Sequence, residues 1–92
     1  MTLLHTLNSP ALLETCLRAA RAGDRLLLHE DGVYCAIDPD LMSRISELSV
    51  FALDDVLLAR GLGTSLDSAV KPVSLAGFVG LCCEADKVIN WF

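Results

Sequence analysis

Basic side chains are scarce in this sequence. Seven Lys and Arg stand against twelve Asp and Glu, a formal net charge of −5. The cations are scattered and no aromatic is interleaved with them. Direct binding to a nucleic-acid backbone is therefore not expected, because phosphate contacts need a clustered positive surface. Aromatics are only 5% of the residues, so the core has to be built from Leu, Val, Ile and Ala. The four cysteines, Cys16, Cys35, Cys82 and Cys83, contain no CxxC and no Cys/His pair at zinc-ligand spacing. Neither a metal site nor a cofactor is expected. "GLGTS" around Gly61 lacks the lysine and the strand–loop–helix setting of a phosphate cradle. No apolar run is long enough to span a bilayer. No basic stretch followed by an apolar run and a small-residue cleavage site opens the chain. The expected compartment is the cytoplasm, with no membrane contact and with thiols kept reduced.

What is present is a leucine-rich chain of 92 residues, 53% hydrophobic, the length of one domain spanning 1–92. A positive mean hydropathy of +0.52 without a membrane segment hints that apolar surface goes into a subunit interface.

Periodicity and punctuation divide the chain into alternating short elements. "TLLHTL" at Thr2–Leu7 reads as a buried strand. Ser9 then caps a helix with Pro10 at its first position. That helix is expected to run to Ala22 and stop at Gly23, with Leu12, Leu13, Cys16, Leu17 and Ala20 on one face and Glu14, Arg18 and Arg21 on the other. "RLLLH" is a second strand. "DGVYCAI" fits either a hairpin return or a short helix. Asp38 and Pro39 open a helix to Ser46. "SVFAL" is a third strand, and "DDVLLARG" a short helix capped by Asp54. "LGTSLDSAVKP" is a loop, "VSL" a fourth strand, Leu75–Glu84 a helix and "KVINWF" a fifth strand. The strands are continuous apolar runs, as burial on both faces of a parallel sheet requires. The expected architecture is an α/β three-layer sandwich, with a mostly parallel sheet of about five strands and helices on both faces. In such sheets the site lies at the carboxyl ends of the strands. That edge would carry His5–Pro10, His29–Val33, Leu53–Asp55 and Leu75–Gly77.

Few residues offer chemistry. Asp54 and Asp55 most simply favour the positive end of a helix, against a general-acid role. His5 and His29 fall at expected strand ends, as hydrogen-bonded histidines near the surface or as proton-transfer or anion-binding groups. A reactive cysteine works as a thiolate and needs a cation or a helix N-terminus, plus exposure. Leu75, Val79 and Cys82 are expected to form an apolar stripe on the helix Leu75–Glu84; Cys82 and Cys83 sit at its C-terminus, where the dipole opposes a thiolate, with Cys83 beside the stripe. Cys35 has core-like neighbours in Val33, Ala36 and Ile37, yet would feel a helix dipole if "DGVYCAI" opens a helix. Cys16 is inward-facing by position and behaves as a small apolar side chain.

"LLHTLNSP", "LLLHEDGVYCAI", "LDDVLLARGL" and the tryptophan of "VINWF", in this order and spacing, resemble the DsrH/TusB family from Leu3 to Trp91. The resemblance implies a small α/β subunit of a cytoplasmic sulfur-relay complex of the DsrEFH or TusBCD type, not catalytic alone. Its partners would be DsrE/TusD-like and DsrF/TusC-like subunits in a heterohexamer, with a TusE/DsrC-like protein exchanging sulfur. Sulfur would travel as protein-bound persulfide, toward 2-thiolation of a tRNA wobble uridine or in dissimilatory sulfur oxidation. The principal persulfide cysteine in such complexes belongs to the DsrE/TusD-like subunit. Some DsrH-like members carry a cysteine in the first helix, in a setting similar to "LETCLRAA". Cys16 is thus the one candidate persulfide site here, while Cys35, Cys82 and Cys83 match no family requirement. The family also turns "DGVYCAI" toward a short helix, and His29 stands where a less basic polar or acidic residue is expected. Three readings stay open: a scaffold that positions a cysteine-bearing partner, a subunit whose Cys16 accepts persulfide, and an unrelated α/β binding domain. The inward position of Cys16 leans to the scaffold.

Overall fold

Five apolar runs, each too short for a stable helix of its own, pair as five parallel strands in the order β4-β3-β2-β1-β5. The computed structural model describes every residue from Met1 to Phe92. The strands are β1 (Leu3–Leu7), β2 (Arg25–Leu28), β3 (Ser49–Leu53), β4 (Lys71–Val73) and β5 (Lys87–Trp91). Helices α1 (Leu13–Ala19), α2 (Pro39–Arg44), α3 (Asp54–Ala59) and α4 (Leu75–Glu84) connect them, with 3-10 segments at Pro10–Leu12 and Glu30–Ile37.

The topology dictates the layers. From β1 to β4 the chain steps across the sheet in one direction, so right-handed crossovers put every connection on one face. The return from β4 to β5, on the far side of β1, puts α4 on the opposite face. The two cores follow. On the first face Leu7, Leu26, Leu28, Val50 and Ala52 meet Leu13 and Cys16 of α1, Val33 and Cys35 of the long 3-10 segment, Met42 of α2 and Leu57 of α3. On the second face Leu4 and Leu27 meet Leu81 of α4, with Phe51, Leu53 and Phe78 around them. This is the expected three-layer α/β arrangement, with one helix alone on its side and every strand pair parallel.

Local chemistry sets most boundaries. Ser9 accepts from the Ala11 amide ahead of Pro10. Asp38 accepts from the amides of Asp40 and Leu41 ahead of Pro39. Gly32 cannot be replaced in place: a Cβ there would lie 2.1 Å from the Leu7 carbonyl oxygen. The 3-10 segment thereby packs backbone to backbone on the end of β1, resolving "DGVYCAI" as helical.

Several boundaries differ from expectation. Helix α1 ends at Ala19, because Ala20 turns extended and the chain bends back to place the Arg21 amide on the Asp24 carboxylate, 3.0 Å away. Gly23 completes that bend at φ +88°. Helix α2 ends at Arg44 rather than Ser46. Helix α3 has no side-chain cap; Asp54 is its first residue, and β3 runs straight into it. The fourth strand is "KPV", two residues earlier than expected, because Ser74 is drawn into capping α4 through the Gly77 amide. Pro72 is tolerated there because β4 is an edge strand.

Candidate functional site

Cys16 lies in α1 against the sheet and is fully buried. Its thiol is pushed up to about 11 by burial first, then by the Asp24 carboxylate and by Cys35. No arginine, lysine or histidine acts in the opposite direction. Cys35, also fully buried, is likewise pushed up to about 11, by burial first and then by Asp38. Cys82 is half-buried and Cys83 exposed at the end of α4; all four thiols are free. No group of three or more His, Cys, Asp or Glu is arranged to hold a metal ion.

The carboxyl edge of the sheet brings together the ends of β1, β2 and β3. Arg60, following α3, reaches across to Asp31 and to Glu30 and lies 5.5 Å from the centre of the Tyr34 ring. The acidic residues at this edge are thus partly neutralised by a single guanidinium. Glu30 itself adopts φ +48°, a left-handed conformation costly for a residue with a Cβ. His29 is half-buried; burial holds its imidazole below the ordinary value, against Glu30, which raises it. Asp54 and Asp55 occupy the first turn of α3, facing the helix dipole. Asp54 also lines a groove of about 320 Å³ with Leu57, Leu58, Leu66 and Pro72, between α3 and β4.

His5 is not at a strand end or near the surface. It sits in the middle of β1, fully buried beneath α1. Its Nε2 lies 2.9 Å from Asp24 Oδ2, and the Trp91 indole Nε1–H donates to its Nδ1 at 3.0 Å. The two ring planes are within 16° of parallel, their centroids 6.3 Å apart. Asp24 is itself buried. Burial pushes its carboxyl upward, but the Arg21 amide, His5 and the Arg21 side chain together bring it below the ordinary carboxylate value. This buried Asp24–His5–Trp91 chain escaped the sequence reading because its members lie 19 and 86 residues from His5. The one available signal was a histidine in the middle of an apolar strand.

Apolar side chains are exposed on the α4 side of the sheet. Leu75 and Val79 on α4 are 63% and 54% exposed, and Val88 on β5 40%. No helix is long and apolar enough to cross a membrane.

Comparison with known proteins agrees with the fold and goes further. The sequence family described as DsrH like protein matches residues 8–88. Proteins named TusB from Escherichia coli, Shigella boydii serotype 18 and Escherichia fergusonii are 37% identical over 95 aligned positions, covering 97% of this chain and 100% of theirs. The crystal structure of the ychN protein from E. coli superposes with a TM-score of 0.75, covering 98% of this chain and 97% of that one. At 17% identity that likeness concerns the fold alone.

Proposed function

This chain belongs to the DsrH family, and from that premise we propose that it is a scaffolding subunit of a sulfur-relay complex. In this reading it assembles in the cytoplasm with DsrE/TusD-like and DsrF/TusC-like subunits as a heterohexamer. Persulfide resides on the DsrE/TusD-like subunit and passes to or from a TusE/DsrC-like protein. The observation that carries the scaffolding role is the setting of Cys16. Persulfide transfer is thiolate attack on a sulfane sulfur. A fully buried thiol held up by burial, by a carboxylate and by a second thiol is poorly suited to that attack. The exposed apolar residues of α4 and β5 supply surface for partners. Likeness to proteins named TusB favours the branch that feeds 2-thiolation of the tRNA wobble uridine. The presence of Cys16 in the first helix is the one feature that favours the sulfur-oxidation branch, where a DsrH-type cysteine occurs.

The test is co-expression with DsrE/TusD-like and DsrF/TusC-like subunits, then persulfide loading of the purified complex and peptide mass mapping. A stable complex is expected, with sulfane sulfur on the DsrE/TusD-like cysteine and none on Cys16. Sulfur that maps to Cys16 and disappears in Cys16→Ser makes this chain a carrier. Failure to form any complex removes the relay reading.

A further inference from the structure

We propose that Asp24, His5 and Trp91 form a proton-sensitive latch, which holds the C-terminal end of β5 on the sheet and releases it when His5 is protonated. The strand is vulnerable by position. It is an edge strand whose only neighbour is β1. Its beginning is pinned at Asp86, whose amide donates to the Thr2 carbonyl at 2.8 Å and whose carboxylate accepts from the Thr2 amide at 2.6 Å. Its far end has two side-chain ties: Thr6 to Asn90 on one face, 2.6 Å, and Trp91 to His5 on the other.

The second tie exists in one protonation state only. An indole N–H can donate but never accept. Nδ1 of His5 must therefore carry a lone pair, and the ring's proton sits on Nε2 and is donated to Asp24 Oδ2. The same carboxylate oxygen accepts the Arg21 amide. A proton arriving from water at Nδ1 forms an N–H there and breaks the hydrogen bond from Trp91, leaving two donors facing each other. The imidazolium stays paired with the Asp24 carboxylate, so the displaced partner is the indole. Trp91 is only half-buried, so its N–H can turn to water. Every buried side-chain nitrogen and oxygen has a partner in the neutral arrangement, so the change cannot be absorbed by an orphaned group nearby.

The ionisable surroundings are few. The loop before β2 contributes Asp24 and Arg21. Helix α1, which covers His5, contributes the Cys16 thiol, itself coupled to Asp24. On this face β2 presents Leu26 and Leu28, and β5 presents Ile89, Trp91 and, at its exposed start, Lys87, the one charged group among them.

The experiment follows the full chain, labelled with nitrogen-15, as the pH is lowered from neutrality, with the His5 ring nitrogens reporting their own protonation. Trp91 is the one tryptophan, so its indole resonance and its emission report on this site alone. At neutral pH the His5 nitrogens should show a neutral ring protonated at Nε2, with the Trp91 indole N–H protected from exchange. When those nitrogens report a second proton, protection of the Trp91 indole and of the Trp91 backbone amide should fall by about tenfold or more while emission shifts to the red. Amides of β2 and β3 should stay protected. His5→Gln, which offers an amide oxygen and an amide N–H but does not titrate, should keep the indole protected across the range. Indole protection that persists once the His5 nitrogens report both protons overturns the latch, as does a ring that stays singly protonated until the whole sheet unfolds. So does loss of β5 protection only together with that of β2 and β3. The wild-type titration decides the matter if His5→Gln does not fold.

Discussion

Asp24 is a buried carboxylate on which three neighbouring groups depend. One buried carboxylate accepts the Arg21 amide, anchors His5 and raises the Cys16 thiol. It thereby shapes the end of α1, fixes the histidine ring and disfavours a thiolate at the same time. Its carboxyl titrates below the ordinary carboxylate value in the folded chain. The unfolded state therefore takes up a proton first as pH falls. The stabilisation is complete above the ordinary value of about 4 and is lost as pH drops through the lower native value. Asp24→Asn keeps the shape and removes the charge. It is expected to cost about 1–3 kcal/mol at neutral pH, where a charge-assisted buried hydrogen bond is weakened. It should also flatten the acid side of the stability curve. Urea midpoints at about pH 7 and about pH 3 check this: the gap between wild type and variant should narrow at the lower pH. An equal gap at both would mean that the carboxylate charge is not what stabilises the site.

Among the elements, α2 depends most plainly on a single side chain. It is six residues long, too short to persist by propensity, and Asp38 satisfies two of its amides. Asp38→Ala is expected to cost about 1 kcal/mol, read as a fall in thermal midpoint, while Asp38→Ser should recover most of the loss. Signals of this local kind are what made the fold legible. Ser9–Pro10 and Asp38–Pro39 mark helix starts within a few residues of themselves, and "SVFAL" and Leu75–Glu84 coincide with β3 and α4 as expected. The less legible boundaries depend on distant partners. Helix α1 stops early because Asp24 claims the Arg21 amide. The fourth strand is set by pairing of Phe51–Leu53 with Lys71–Val73, not by the apolar residues of "VSL". The 3-10 segment was ambiguous because its period lies between the patterns of strand and helix. The site was the least legible part. Burial of Cys16 could be read from its helix face, whereas the histidine chain could not, since its partners meet only once β1, β2 and β5 are adjacent.

At the scale of the whole molecule the sheet is covered unequally. Three helices and the long 3-10 segment bury one face, and α4 stands alone on the other. A chain this small has little core to spare, yet it leaves Leu75, Val79 and Val88 open on the thinner side. Single exposed apolar residues are ordinary, but three on one face suit a surface that partners cover. Within the proposed relay complex, this face is where the related subunits would dock. Val79→Asp tests the assignment, because the side chain points away from the core and Val and Asp have similar helix propensities. In the isolated chain the substitution should change stability by no more than about 0.5 kcal/mol, seen as a nearly unchanged thermal midpoint. In the co-expressed assembly it should abolish or sharply reduce co-purification, because a carboxylate would have to be desolvated without a partner. Undiminished assembly by Val79→Asp would move the interface elsewhere. The exposed groove between α3 and β4, with Leu58 at its rim, would be the next surface to probe.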